Sequence, residues 1–152
     1  MIEITQDAID PAALLAEFSR GRLETGAVAS FTGLTRDRTG KALVTRLTLQ
    51  AYPGFTEIVM AEIETEARAR FAVQDVLAVH RWGEIGVGEP IIFVAVAAAH
   101  RRAAFDAVDF LMDQFKTRAP FWKKEDGPDG SRWIEPRESD HIDLARWNAD
   151  TL

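Results

Sequence analysis

Pro90-Ile91-Ile92-Phe93-Val94-Ala95-Val96-Ala97-Ala98-Ala99 is the longest apolar run in the chain, and its reading decides the fold. Apolar and polar residues do not alternate along it, so it predicts a strand covered on both faces. Its ten residues fall well short of the roughly 20 that span a bilayer. His100-Arg101-Arg102 interrupts the run. A helix is expected beyond it, with Ala104, Ala107, Val108, Leu111 and Phe115 on the buried face. That helix should stop before Pro120, because the residue ahead of a proline disfavours helical backbone.

Upstream, residues 76–80 read as a neighbouring strand and residues 83–88, with glycine at 83, 86 and 88, as the turn between the two. Pro53-Gly54 opens a helix to about Phe71, with Met60, Ile63, Ala67 and Phe71 as its stripe. Residues 43–52 alternate: Leu43, Thr45, Leu47 and Leu49 point one way, and Val44, Arg46, Thr48 and Gln50 the other. Residues 26–32 form a further strand, and the polar stretch 36–41 is a loop. Asp10-Pro11 starts a helix that ends at Gly21, with Ala13, Leu14, Leu15 and Phe18 apolar, and residues 1–5 are a short strand. Downstream, residues 121–126 and 132–136 make a hairpin across Gly127-Pro128-Asp129-Gly130. Helices and strands alternate, but the hairpins argue against an all-parallel sheet. The expected class is α+β, with mixed and antiparallel sheets and three main helices.

The chain has 152 residues, 47% of them hydrophobic and 28% charged, with no repeat or linker to divide it. One domain is expected over residues 1–140, followed by a variable tail over 141–152. Net charge is −6, which argues against a broad nucleic-acid face but leaves room for a local basic pocket that holds a small anion. Cysteine is absent, so disulfides, thiolate metal sites and cysteine nucleophiles are excluded. His80, His100 and His141 show no metal-ligand spacing, and no metal is expected. The N-terminus shows no basic stretch before an apolar run, so a soluble cytoplasmic protein without a signal peptide is expected.

Lysine and arginine cluster around an apolar centre in Phe115-Lys116-Thr117-Arg118-Ala119-Pro120-Phe121-Trp122-Lys123-Lys124-Glu125. Partial burial strengthens the electrostatics of such lysines. On an extended strand Phe121, Lys123 and Glu125 share one side, while Trp122 and Lys124 share the other. Lys123 therefore belongs with Lys116 at one corner, and Lys124 is a surface or partner contact. His100 and Arg101 stand at a helix N-terminus, which favours anions. Phe31-Thr32-Gly33-Leu34-Thr35-Arg36 leads from a strand through a glycine to an arginine able to clamp a phosphate.

Taken together, FTGLTR at residues 31–36, AAAHRRAAF at 97–105 and FKTRAPFWKKE at 115–125 resemble the MoaE family, the large catalytic subunits of molybdopterin synthase. AYPGFTE at 51–57 and HRWGEIGVGE at 80–89 support the resemblance. Leu34 departs from it, standing where some members carry a basic residue. The resemblance implies an α/β hammerhead fold and a sulfurtransferase of molybdenum cofactor biosynthesis. Such an enzyme inserts two sulfurs into cyclic pyranopterin monophosphate as a dithiolene. The resemblance also implies that a small ubiquitin-like subunit of the MoaD type brings the sulfur as a C-terminal thiocarboxylate. A homodimer of large subunits would form the core of a heterotetramer, with no permanently bound cofactor. By the same resemblance Lys116 is the leading catalytic residue and Lys123 binds and polarises the pterin. Arg36, His100 and Arg101 form a phosphate pocket, some of them reaching in from the dimer mate. Lys124, Glu125 and Arg137 complete the substrate-binding set.

Overall fold

A computed structural model describes residues 1–148 of the chain. Its elements run β1 (Ile2–Thr5), α1 (Pro11–Ser19), β2 (Ala27–Leu34), β3 (Arg38–Thr39), β4 (Ala42–Leu43), β5 (Arg46–Gln50) and α2 (Phe55–Arg70). They continue through β6 (Val73–Arg81), β7 (Gly83–Gly86), β8 (Pro90–Ala98), α3 (Arg101–Arg118), β9 (Trp122–Gly127), β10 (Gly130–Ile134) and α4 (Glu138–Ala145), closing with a 3-10 turn at Arg146–Asn148.

The apolar run is β8, the second inner strand of a sheet ordered β1-β6-β8-β2. β1 runs parallel to β6, and the other pairings are antiparallel. Both faces of β8 are covered. Ile92, Val94, Val96 and Ala98 pack under α2 and α3, against Met60, Ile63, Ala67, Ala107, Leu111 and Phe115. Phe93, Ala95 and Ala97 pack on the other side beneath Phe18 of α1, with Leu14 and Leu15 at its edge. Each large apolar side chain buried this way contributes about 1.5–3 kcal/mol. α3 ends at Arg118, with Ala119 as an extended cap directly before Pro120. α1 begins where Asp10 accepts a hydrogen bond from the Ala13 amide. The α+β class holds, with one mixed and one antiparallel four-stranded sheet.

The second sheet, ordered β10-β9-β5-β7, is antiparallel throughout. Leu47, Leu49 and Ile85 fill its inner side. Here the structure corrects two readings. Residues 83–88 are not simply a turn, because Gly83–Gly86 is a strand paired with β5. Gly83 has φ +87, and this left-handed residue turns the chain out of β6 and into the second sheet. The actual reversal follows at Gly88, where the Glu89 amide donates to the Gly86 carbonyl. The alternation over 43–52 also breaks at its start. Val44 is buried and Leu43 exposed, because the chain turns between β4 and β5 and the Val44 amide is tied to the Asp37 carbonyl. From Arg46 to Gln50 the expected alternation holds.

α4 adds a fourth helix and crosses the expected boundary at residue 140. The part of the expected tail beyond residue 148 lies outside the described residues. Among the described residues no helix is long and apolar enough to cross a membrane.

A candidate active site where the two sheets meet

The two sheets diverge around a cavity of about 650 Å³, closed on one side by the C-terminal turn of α3. Its apolar walls include Leu47 and Leu49 of β5, Ile91 and Ile92 of β8, and Phe115 of α3. Its basic groups are Arg36, Lys116, Lys123 and Arg137, supplied by four different parts of the chain. His80 of β6 and Phe121 also line it. An acidic chain thus gathers four cations at one concave, partly apolar place.

Lys116 comes from the last turn of α3, and its Nζ lies 3.3 Å from Asp140 Oδ1. Asp140 belongs to the first turn of α4, and its other oxygen accepts the Arg137 backbone N–H at 2.9 Å. Burial works against the Asp140 charge, but the Arg137 amide and Lys116 outweigh it and hold its carboxyl below the usual range. Lys123 is half-buried on β9, its Nζ 3.4 Å from Glu125 Oε1. Glu125 is almost wholly enclosed, at 4% exposure. It accepts from the Thr39 hydroxyl at 2.7 Å and from Arg132 at 3.2 Å. Burial again opposes its charge, and Thr39, Lys123 and Arg132 together keep its carboxyl below the ordinary value.

The pairing register explains which lysine faces inward. Lys123 lies opposite Leu49 and Glu125 opposite Leu47, so both share the face that carries the apolar wall. Lys124 turns to the other face, with its ammonium 5.9 Å over the Trp133 ring. The structure therefore brings Lys116, Lys123, Arg36 and Arg137 together. Glu125 stands beside Lys123 and does not border the main cavity. Lys124 lies outside the site.

His100 and Arg101 are not part of this cavity in one chain. His100 is the exposed N-cap residue of α3, without a side-chain cap bond, and Arg101 follows it. Arg101 and Lys116 stand at opposite ends of α3, about 22 Å apart at 1.5 Å rise per residue. Asp140, Thr39 and Arg132, which hold the lysines and their partner carboxylate, were not found from sequence. The one signal was for Asp140, three residues after Arg137 at a helix start. A second, wider-open groove of about 500 Å³ lies between α2, α3 and α4. It contains none of the expected catalytic or substrate-binding residues, and Arg118, the one member of the 115–125 cluster that lines it, is already paired with Glu66 at 2.7 Å.

Residues 4–118 match the family model described as MoaE protein. The chain is 53% identical over 150 residues to the molybdopterin synthase catalytic subunit of Caulobacter vibrioides, covering 99% of both chains. The structure of the molybdopterin biosynthesis MoaE protein from Burkholderia ambifaria superposes with a TM-score of 0.82 at 42% identity, covering 97% of each chain. Molybdopterin synthase from Staphylococcus aureus gives 0.80 at 30% identity, covering 87% of this chain and 95% of that one. Matching from strand pattern to whole-chain superposition, this chain belongs to the MoaE family.

Proposed function

We propose that this chain is the catalytic subunit of a molybdopterin synthase, converting cyclic pyranopterin monophosphate to molybdopterin with sulfur from a partner's C-terminal thiocarboxylate. The observation that carries this reading is the convergence of Lys116, Lys123, Arg36 and Arg137 on one half-apolar cavity. Four cations suit a substrate bearing a cyclic phosphate and a sulfur donor bearing a thiocarboxylate. The apolar walls suit a flat heterocycle. The absence of cysteine supports an external sulfur source, because the chain has no thiol on which to carry sulfur as a persulfide. The name catalytic subunit, borne by a relative at 53% identity, supports a second, small subunit as that source.

In this reading the thiocarboxylate sulfur bonds to a ring-side carbon of the pterin, and the carbon–oxygen bond at that carbon breaks, its oxygen leaving as water or remaining on the phosphate. The sulfur's bond to the acyl carbon then breaks, and water supplies the oxygen that leaves the carrier as a carboxylate. Two carriers deliver the two sulfurs. Lys116, held by Asp140, stabilises the oxyanion that develops on the acyl carbon. Lys123, braced by Glu125, binds and polarises the pterin. Arg36 and Arg137 hold the phosphate. His100 and Arg101 serve the same cavity from a second copy of the chain, because their own α3 places them at its far end.

The test is a single-turnover assay with the purified chain, thiocarboxylated small subunit and cyclic pyranopterin monophosphate, read by product mass. Wild type gains two sulfurs. Lys116→Ala loses at least a hundredfold in rate, the scale of removing one oxyanion-stabilising donor, while its melting temperature and partner binding stay unchanged. Binding without any mass change in folded wild type would leave a docking module.

A further inference from the structure

His80 borders the cavity, yet the chemistry above does not use it. It is the penultimate residue of β6, paired with Ile4 on β1 and Ile92 on β8, so its backbone is fixed from both sides. Its ring lies flat on Phe121, with centroids 4.0 Å apart and planes 17° from parallel. Nδ1 stands 2.8 Å from the Arg81 carbonyl oxygen. A carbonyl oxygen only accepts, so Nδ1 carries the hydrogen, and in the neutral ring Nε2 is left with its lone pair. Burial lowers the imidazole pKa to about 4, which keeps the ring neutral near pH 7.

Nε2 has no hydrogen-bond partner among the described residues. Nor is His80 sealed off: it keeps 9% exposure, and Nε2 is not among the fully enclosed, unpartnered side-chain atoms of the described residues, Thr35 Oγ1 and Arg81 Nε. The open space beside the ring is the cavity itself. The four basic groups there are donors without acceptor capacity. They hold an anion, but they cannot recognise an N–H edge. The Asp140 carboxylate is already engaged by Lys116 and the Arg137 amide, and Glu135, the other carboxylate of the lining, is an exposed side chain. A rigid, neutral acceptor beside four cations distinguishes a heterocycle with ring N–H groups from a bare phosphate.

We infer that His80 is a substrate-orienting residue whose Nε2 accepts a hydrogen bond from an N–H of the bound pterin, with Phe121 fixing the imidazole plane. The inference rests on the reading of this cavity as the pterin site. It assigns recognition of the ring N–H edge to β6, beside polarisation of the pterin by Lys123 and capture of the phosphate by Arg36 and Arg137.

The test is calorimetric titration of the full chain with cyclic pyranopterin monophosphate and, separately, with inorganic phosphate. His80→Phe keeps the flat ring and removes Nε2. Its affinity for the pterin falls roughly tenfold, the loss of about one net hydrogen bond, and its affinity for phosphate stays level. His80→Gln, which can place an amide oxygen near the Nε2 position, recovers most of the loss. Equal weakening toward both ligands, or no weakening toward the pterin, overturns the inference. In wild type labelled with ¹⁵N-histidine, the pyridine-like Nε2 resonance moves upfield on adding pterin and stays put on adding phosphate. An unmoved resonance in pterin-saturated protein overturns the inference even if His80→Phe fails to fold. Wild type that binds no pterin at all would remove the underlying reading of the cavity.

Discussion

Lys116 and Lys123 show how far single residues can be read from sequence. Period-two alternation separates Lys123 from Lys124, and the strand register places the first toward the cavity and the second over Trp133. What alternation cannot give is the partner. Glu125 finds the Thr39 hydroxyl 86 residues away, and Lys116 finds Asp140 across the whole second hairpin. His80 was equally illegible, since a lone histidine at a strand end carries no sign of which space it borders. Its burial has a consequence for stability. The folded pKa of about 4 lies below the ordinary 6.5, so the unfolded chain takes up the proton first as pH falls. Stability should therefore decline from pH 6.5 toward 4, by about 2 kcal/mol at pH 5 relative to pH 7. The paired carboxylates of Glu125 and Asp140, with lowered pKa values, lose their contribution only at still lower pH. Urea unfolding of wild type and His80→Phe at pH 7 and pH 5 checks this, and the variant should lack that part of the decline.

Among the elements, those with an apolar stripe were legible and those held by polar contacts were not. α3 announces itself through five apolar positions, all of them buried. α4 has no buried residue and no such stripe. It is held from outside itself. Asp113 of α3 accepts hydrogen bonds from Arg146 at 2.6 Å and from the Trp147 indole at 2.7 Å, and Trp147 packs edge-on against Phe71 and Phe110. β7 escaped because Gly83-Glu84-Ile85-Gly86 contains one apolar residue, and one residue has no period. Since α4 carries Asp140, the Asp113 anchor reaches Lys116 of the cavity indirectly. Asp113→Ala should cost about 1–3 kcal/mol and speed amide exchange across α4 more than across α3. Hydrogen-exchange mass spectrometry resolves the two helices. Uniform protection in both would mean that α4 does not depend on the Asp113 anchor.

At the scale of the whole molecule, the run at residues 90–99 correctly forecast a sheet covered on both faces, and composition correctly allowed a basic site in an acidic chain. Of the second sheet, the alternating strand β5 and the hairpin were visible in the sequence, but their assembly with β7 was not, because β5 and β7 meet through pairing that local sequence does not encode. The separation of His100 and Arg101 from Lys116 gives a prediction that belongs to the assembly. If each cavity draws on two chains, Lys116→Ala and His100→Ala are each inactive alone, yet a mixed dimer contains one unaltered cavity. Mixing the two variants after subunit exchange should restore turnover in the single-turnover assay, and continued inactivity of verified mixed dimers would confine the site to one chain. α3 then acts as a ruler. In such a dimer one basic end would serve one cavity and the other end its neighbour, so the residue count of this helix would be constrained as tightly as its composition. A single residue inserted near Asp109 would rotate everything beyond it by about 100°, carrying Lys116 away from Asp140 and Phe115 out of the core. The same insertion at Gly40, in the exposed ribbon between β3 and β4, would leave both cavities as they are. Natural length variation should therefore collect in that ribbon and spare α3.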